Sequence, residues 1–297
     1  MRPVYTTLID SETLAACMVD SAGPLCIIDC RADLADPTAG ARAFAERHLP
    51  GAQFLDLEQD LSGPKTGKNG RHPLPDREVL AAKLARMGVR HDTQVICYDA
   101  QGSAYAARLW WLLRWLGHPA VAVLDGGFQG WEASGGLVEY SAPRNAVAGD
   151  FVAGEPLTTV VDAQRIMDNL TTQQYRVVDA RAADRYRGEN ETIDPVGGHI
   201  PGAANRFFKD NLDADGRFKS PAVLREAFET VLATTAPAQA IMQCGSGVTA
   251  CHNLLALEIA GLPGAALYAG SWSEWIADPT HPVATGNDRD SLPQHIG

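Results

Sequence analysis

The chain contains an internal duplication, and this duplication restricts its possible folds more than any other feature of the sequence. Three segments of the first half recur in the second half in the same order, separated by 150, 151 and 144 residues. The pairs are 27–31 (IIDCR) with 177–181 (VVDAR), 48–52 (HLPGA) with 199–203 (HIPGA), and 121–131 (VAVLDGGFQGW) with 265–275 (AALYAGSWSEW). Because three matches in one order are not expected by chance, the sequence predicts one domain fold used twice.

The two copies are joined by a segment without regular periodicity. The 297 residues suffice for two domains of ordinary size, each with its own core. Residues 141–150 (SAPRNAVAGD) show neither a helical nor a strand pattern, as expected of an exposed linker. We therefore predict an N-terminal domain over 1–140, a linker over 141–157 and a C-terminal domain over 158–297.

Each copy alternates short apolar runs with helical patterns, which predicts an α/β fold with a parallel sheet. The apolar runs predict strands at 25–28, 95–98, 121–124, 176–178, 239–243 and 265–268. Helical patterns predict helices at 76–87, 104–116, 162–170, 221–232 and 249–260. Gly88 fits the position just after the first of these helices. Ser220 and Pro221 fit the cap and first residue of the fourth.

Composition and charge exclude several classes of protein. The apolar fraction of 45% and the charged fraction of 21% are ordinary for a soluble globular chain. The net charge of −11, without a basic stripe, argues against partners with a phosphate backbone or an anionic membrane surface. No apolar run approaches the roughly 18 residues that span a bilayer, and the N-terminus lacks the pattern of a signal peptide. We therefore expect a cytoplasmic protein that binds neither nucleic acid nor membrane.

The six cysteines give no sign of disulfides or of a metal site. They lie at positions 17, 26, 30, 97, 244 and 251, without a CxxC pair or the spacing of zinc ligands. In a chain without an export signal, reduced thiols are expected, and free cysteines are usually buried among apolar side chains. We predict neither a metal nor a cofactor.

The stretch with the clearest chemistry is 240–251 (AIMQCGSGVTAC). A buried strand is predicted to end at Cys244 and a helix to begin near Thr249, so the loop lies at the carboxyl edge of the sheet, where such folds bind ligands. Gly245 and Gly247 let the backbone turn its N–H groups inward, and these groups with a helix N-terminus attract an anion. A thiol at the centre would be held as the thiolate. The loop therefore predicts a nucleophilic cysteine.

Three other interpretations of this loop have less support. Gly245, Gly247 and Ala250 fit the GxGxxA dinucleotide fingerprint, but residues 265–269 (AALYA) lack the acidic residue expected about 20 residues further on. A phosphatase loop needs an arginine to bind phosphate at the position of Ala250. The third interpretation is a buried cysteine at a tight turn without a chemical role, and the sequence leaves it open.

The loop CGSGVTAC (244–251) resembles the active-site loop of the 3-mercaptopyruvate sulfurtransferases, which are members of the tandem rhodanese-domain family. The repeated D-x-R and H-x-P-G-A segments and the sequence GSWSEW (270–275) fit the same family. The resemblance extends over about residues 4–285. It implies an α/β fold of two tandem rhodanese-like domains, each with a mainly parallel central sheet flanked by helices.

The resemblance implies roles for the residues of the loop. Cys244 corresponds to the cysteine that carries sulfur in the family. Gly245, Gly247, Val248 and Thr249 correspond to loop residues that contact the substrate.

Outside the loop, the resemblance places one arginine and one aspartate. Arg185 corresponds to an arginine that binds the substrate carboxylate, a task for which the forked guanidinium is suited. Asp99 occupies in the first copy the position of Cys244 in the second. Because a carboxylate cannot accept sulfur from a donor, we expect the first copy to be catalytically silent.

The family also uses an acid–histidine–serine relay. His72 and Ser246 correspond to the histidine and the serine, and Glu58 stands at the acid position, where aspartate is the residue familiar in the family. Asp56 is the alternative acid. We expect His72 and Glu58 of the first copy to reach Ser246 of the second, so that the active site would lie between the halves.

Two departures from the family pattern concern the substrate. Some mercaptopyruvate enzymes carry a second arginine shortly after the first, whereas 189–194 (ENETID) has no basic residue. A second arginine is therefore absent or comes from another segment. Ala269 stands where the family usually has an aspartate before Gly-Ser-Trp.

The expected function is sulfur transfer from 3-mercaptopyruvate through a Cys244 persulfide to a thiol or to cyanide. Thiosulfate is the alternative donor, although the thiosulfate enzymes of the family carry basic residues directly after the cysteine, where this chain has Gly245 and Ser246. A persulfide carrier module without small-molecule turnover is the second alternative. The expected partners are a small anionic sulfur donor and a thiol acceptor, with a thioredoxin-like protein as one candidate.

Overall fold

The structure, a computed structural model, describes residues 3–20, 23–140 and 147–287. Contacts within the chain divide it into two compact units. The first unit comprises Met1–Pro64, Leu74–Thr158 and Leu212–Lys219, and the second comprises Lys65–Pro73, Thr159–Asn211 and Ser220–Gly297. Residues 141–146 of the predicted linker lie outside the described residues, and the predicted domain limits remain predictions.

The first unit contains a five-stranded parallel sheet. Its elements in chain order are β1 (Leu8–Ile9), α1 (Ser11–Val19), β2 (Leu25–Asp29), α2 (Ala39–Glu46), β3 (Gln53–Phe54), α3 (Arg77–Arg86), β4 (Gln94–Tyr98), α4 (Ala106–Trp115), β5 (Val121–Leu124) and α5 (Gly127–Ala133). The strands lie in the order β1-β5-β4-β2-β3, and every neighbouring pair is parallel. Helices fill the connections, as parallel pairing requires.

The second unit repeats this arrangement. Its elements in chain order are β6 (Thr159–Val161), α6 (Ala163–Thr172), β7 (Arg176–Asp179), α7 (Ala183–Arg187), β8 (Ala204–Asn205), α8 (Pro221–Leu232), β9 (Ala240–Gln243), α9 (Thr249–Ile259), β10 (Ala266–Tyr268) and α10 (Ser271–Trp275). Short 3₁₀ helices occupy Phe208–Asn211 and Pro237–Gln239. The parallel order β6-β10-β9-β7-β8 equals that of the first unit. The duplication and the parallel α/β fold are confirmed.

The strands and helices predicted from periodicity are all present, with ends that shift by at most two residues. Gly88 follows the cap of α3 with a φ of +90°, and Pro221 is the first residue of α8, although the side chain of Ser220 makes no capping hydrogen bond. The strands that periodicity missed are β1, β3, β6 and β8, and the missed helices are α1, α2, α5, α7 and α10. The missed strands have only two or three residues, too few to show alternation.

The core of the second unit fixes the sheet edge that carries the cysteine loop. Ile241 of β9 packs in one apolar cluster with Tyr186 of α7 and with Trp272 and Trp275 of α10. Both tryptophans are fully buried. Burial of aromatic side chains of this size stabilises a domain strongly, so α10 is held against the sheet next to the end of β9.

Candidate active site

Cys244 directly follows β9, the middle strand of the second sheet. The thiol is buried, with 2% of the residue exposed. Val248 precedes α9 and Thr249 is its first residue, so 244–248 form a tight connection between strand and helix, as predicted. The loop therefore lies at the carboxyl edge of a parallel sheet, where α/β folds bind ligands.

Hydrogen bonds to the start of α10 hold the cysteine loop in place. The Cys244 N–H donates to Ser271 Oγ at 3.1 Å, and the Cys244 carbonyl accepts from the Trp272 N–H at 3.0 Å. The Gly245 carbonyl accepts from the Ser273 N–H at 3.0 Å. Thus the segment GSWSEW, which the duplication and the family resemblance singled out, anchors the backbone on both sides of the cysteine.

Gly247 is required by the path of the loop. Its φ is +79°, a conformation that L side chains rarely adopt. A Cβ at this position would lie 2.2 Å from the carbonyl oxygen of Ala269, so the backbones approach too closely for any side chain. The close approach of the Ala269 carbonyl therefore requires a glycine at position 247.

Backbone N–H groups point at the sulfur of Cys244. The Gly247 N–H donates to Sγ at 3.1 Å and the Ser246 N–H at 3.5 Å. Such groups at the start of a helix stabilise a sulfur anion. By contrast, burial raises the pKa of Cys26 to about 12 and raises the pKa values of Cys30 and Cys97 well above the ordinary value. Those thiols are neutral packing groups, whereas the surroundings of Cys244 suit a nucleophile.

The structure brings His72 and Ser246 together. His72 Nδ1 lies 2.7 Å from Ser246 Oγ, and both side chains are buried. His72 belongs to Lys65–Pro73, a segment of the first half of the sequence that clusters with the second unit. A histidine and a serine at this distance can pass a proton between them.

Glu58 and Asp56 belong to the first unit. Asp56 Oδ1 accepts the backbone N–H groups of Glu58 at 2.8 Å and of Gln59 at 2.9 Å. The Asp56 carboxylate thus caps a turn, which leaves Glu58 as the better candidate for the acid of the relay. Its place in the relay stays a prediction.

Two guanidinium groups lie beside Gly245, next to the cysteine. A Cβ built on Gly245 would be 2.8 Å from Arg71 Nη2 and 3.7 Å from Arg185 Nη2. Arg185, which the family resemblance singled out, lies in α7, a helix that the sequence patterns did not predict. Arg71 was not predicted as a site residue, although it directly precedes His72, and that adjacency was the available signal.

Carboxylates pair with both of these arginines. Arg185 donates to Glu191 at 2.8–3.1 Å and contacts Asp194 at 3.2 Å, and Arg71 forms an ion pair with Asp194. Burial raises the pKa of the Asp194 carboxyl, although the neighbouring Arg71 opposes this shift. Burial would also raise the pKa of Glu191, but hydrogen bonds from Arg185 and backbone N–H groups outweigh it and lower the pKa.

A third arginine stands behind these groups. Arg181 is buried, holds Asp179 with several hydrogen bonds of 2.7–3.2 Å and contacts Glu191 at 3.4 Å. Its guanidinium carbon lies 4.7 Å from the centre of the Trp272 ring. The D-x-R repeat therefore builds a fixed ion pair at the end of β7.

Asp99 follows β4 as Cys244 follows β9. Its fully buried carboxylate accepts the backbone N–H groups of Gln101, Ser103, Tyr105 and Ala106 at 2.8–2.9 Å. Burial raises the pKa of this carboxyl, although the four N–H groups oppose the shift. The corresponding loop of the first unit is therefore closed by its own carboxyl group and has no thiol.

Comparison with known proteins identifies the fold family. The family model described as a rhodanese-like domain matches the chain twice, over residues 12–134 and 162–278. The chain belongs to the rhodanese family. Both matches include the equivalent strand-to-helix loops, with Asp99 in the first copy and Cys244 in the second.

Similar proteins carry two related names. A probable 3-mercaptopyruvate sulfurtransferase of Pseudomonas aeruginosa is 49% identical over 94% of this chain and 98% of its own length. A thiosulfate sulfurtransferase of Cricetulus griseus is 36% identical over 95% of this chain and 97% of its own length. The solved structure of SseA from Escherichia coli, described among the 3-mercaptopyruvate sulfotransferases, has 32% identity and a TM-score of 0.77, and the match covers 90% of this chain and 99% of that one. The predicted enzyme class, a sulfurtransferase, is confirmed.

Within the described residues, no helix combines the length and the apolar character that a membrane span needs. Over the same residues, no three histidine, cysteine, aspartate or glutamate side chains are grouped closely enough to hold a metal ion.

Proposed function

We propose that this rhodanese-family enzyme takes sulfur from 3-mercaptopyruvate and carries it as a persulfide on Cys244. The observation that carries the proposal is the position of Cys244 Sγ, which accepts hydrogen bonds from Gly247 and Ser246 N–H groups. On one side, Gly245 adjoins the guanidinium groups of Arg71 and Arg185. The hydroxyl of Ser246, paired with His72, is two residues along the chain from the thiol. The site thus offers a nucleophile, a carboxylate-binding group and a proton source.

In the first half-reaction, the Cys244 thiolate attacks the sulfur atom of the donor. A sulfur–sulfur bond forms, the carbon–sulfur bond breaks, and its electron pair leaves as the enolate of pyruvate. The Ser246 hydroxyl gives the enolate a proton, which His72 replaces, and pyruvate is released. The backbone N–H groups of the loop stabilise the negative charge on sulfur throughout.

In the second half-reaction, an acceptor thiolate or cyanide attacks the outer sulfur of the persulfide. The sulfur–sulfur bond breaks, and the Cys244 thiolate is regenerated. The two half-reactions form a ping-pong scheme of covalent catalysis. A protein dithiol of the thioredoxin type is the acceptor that we propose, because it can remove the transferred sulfur as sulfide while forming its own disulfide.

Charge balance supports mercaptopyruvate over thiosulfate as the donor. Gly245 and Ser246, the residues that directly follow the cysteine, are neutral. The arginines at 71, 181 and 185 are matched by carboxylates at 179, 191 and 194. A site with so little excess positive charge favours a donor with one negative charge over a dianion.

The donor comparison tests this assignment. We expect kcat/KM for 3-mercaptopyruvate to exceed that for thiosulfate by about tenfold or more, the effect of a charge mismatch of about 1.4 kcal/mol. The rates are measured with cyanide and with a reduced dithiol protein as acceptors. Mass spectrometry after donor treatment should add the mass of one sulfur atom to the peptide containing Cys244. A large preference for thiosulfate would overturn the donor assignment.

Ser246→Ala tests the proton step. We expect kcat with 3-mercaptopyruvate to fall about 100-fold with little change in KM, because the enolate loses its proton source. Thiosulfate serves as the control donor, since sulfite leaves without needing that proton, and its rate should change only a few-fold. Equal losses with both donors would contradict the role of Ser246 as a proton donor. Full activity with both donors would favour the carrier module, which needs no proton delivery.

A further inference from the structure

The Asp194 carboxylate bridges the two arginines nearest to Gly245. Asp194 Oδ1 pairs with Arg71 Nη1, and Asp194 Oδ2 lies 3.2 Å from Arg185 Nη2. The Asp194 side chain is almost fully buried. It therefore sits where two guanidinium groups converge next to Cys244, a position that suits the carboxylate of a small donor.

Arg71 and Arg185 are held independently of Asp194. The Arg71 N–H donates to Ser273 Oγ at 3.0 Å, which ties the arginine to the segment that anchors the cysteine loop. Arg185 makes two-pronged contact with Glu191. Without the Asp194 carboxylate, the Arg185 guanidinium would thus keep its contact with Glu191, and the Arg71 backbone would keep its bond to Ser273.

We propose that Asp194 is an internal carboxylate that occupies the Arg71–Arg185 pair in the free enzyme and is displaced by the carboxylate of the sulfur donor. This inference rests on the proposed function, in which the donor carries a carboxylate. In it, Arg71 takes the place of the second substrate arginine that segment 189–194 does not provide.

Asp194 is easier to displace than Glu191. Glu191 Oε1 accepts the N–H groups of Ile193 and Asp194 at 2.9–3.0 Å as well as those of Arg185. The other oxygen, Oε2, contacts Arg181 at 3.4 Å. Those bonds make Glu191 a positioning residue. Asp194 makes one contact with each guanidinium, and burial disfavours its charged form. Residues 192 and 193 beside it are exposed, which gives the side chain a short path to solvent.

The exchange of one carboxylate for another also gives selectivity. A monocarboxylate donor replaces the charge of Asp194 and leaves the balance of the arginine cluster unchanged. A dianion would bring one charge more than it displaces. A donor without a carboxylate that displaced Asp194 would leave two half-buried guanidinium groups with less compensating charge. Asp194 would therefore favour donors that carry a carboxylate and a single negative charge.

Asp194→Asn tests the proposal through the binding of pyruvate, which carries the donor's carboxylate but no sulfur. Pyruvate affinity is measured by calorimetry and by the protection of Cys244 from alkylation. We expect the variant to bind pyruvate about tenfold or more tightly, because the amide competes poorly with a carboxylate for charge-assisted hydrogen bonds. Asp168→Asn, which removes a charge of the same sign from the exposed face of α6, should bind pyruvate as the unmodified chain does.

A second variant keeps the test decisive if Asp194→Asn folds poorly. Arg71→Lys cannot form the forked contact with a carboxylate, so we expect pyruvate binding, measured by calorimetry, to weaken about tenfold. Equal pyruvate affinity in the unmodified chain and in either variant would overturn the inference. A different result would separate this inference from the proposed function. If Asp194→Asn binds pyruvate more tightly but the unmodified chain transfers no sulfur from 3-mercaptopyruvate, the inference is supported and the proposed donor is wrong.

Discussion

Replacement of Cys244 with serine is expected to lower sulfur transfer from 3-mercaptopyruvate by at least about 10,000-fold. A serine hydroxyl is not ionised near neutral pH and does not form a stable bond to the transferred sulfur. Its oxygen can still accept the Gly247 N–H that now points at Sγ. The loop should therefore keep its conformation, so that the lost activity reports chemistry rather than folding.

Cys251→Ser is the matched control for this variant. The Cys251 thiol is buried in α9 and donates to the Gly247 carbonyl at 3.3 Å, a bond that a serine hydroxyl can also make. We expect activity within a few-fold of the unmodified chain. Steady-state rates and the mass of each cysteine peptide after donor treatment are measured for both variants. A Cys244→Ser protein that still gained sulfur, or a Cys251→Ser protein that lost transfer, would contradict the assignment of the nucleophile.

The loop that carries Cys244 could be predicted from the sequence because the signals for it are local. An apolar run ends at Met242, two glycines follow within five residues of it, and a helical pattern begins at Thr249. Each signal reflects backbone geometry over a few residues, which a single sequence records directly. The structure accordingly shows β9, the loop and α9 where the pattern places them.

The arginine pair could not be predicted in the same way, because its contacts join distant parts of the chain. Arg71 and Asp194 are 123 positions apart, and Arg71 and Ser273 are 202 apart. Periodicity contains no information on such pairs. The sequence left open whether a second arginine comes from another segment. The segment Lys65–Pro73, which clusters with the second unit, places Arg71 beside Gly245.

The two copies of the fold use the same loop for different purposes. In the second unit, N–H groups of the loop point at the thiol of Cys244. In the first unit, four N–H groups are saturated by the carboxylate of Asp99. The sequence predicted a silent first copy because carboxylates do not carry sulfur. The structure adds that this aspartate stabilises the loop that it occupies.

Asp99→Ala is therefore expected to destabilise the first unit by at least about 4 kcal/mol. The alanine would leave four buried N–H groups without an acceptor, and each unsatisfied buried group costs about 1–3 kcal/mol before any water enters. Two of these groups belong to Tyr105 and Ala106 at the start of α4, where a negative charge also interacts favourably with the helix dipole. The melting temperature of this unit, measured by scanning calorimetry, should fall by roughly 10 °C.

Asp99→Asn separates the loss of hydrogen bonds from the loss of volume. The amide oxygen can still accept two of the four N–H groups, but the amide nitrogen cannot replace the second carboxylate oxygen. We expect the asparagine variant to melt between the unmodified chain and Asp99→Ala. At temperatures below the transition, sulfur loading of Cys244 should persist in both variants, because no atom of Asp99 takes part in the transfer. An alanine variant with an unchanged melting temperature would show that the four N–H groups find other acceptors, and that the aspartate is dispensable for the fold of the first copy.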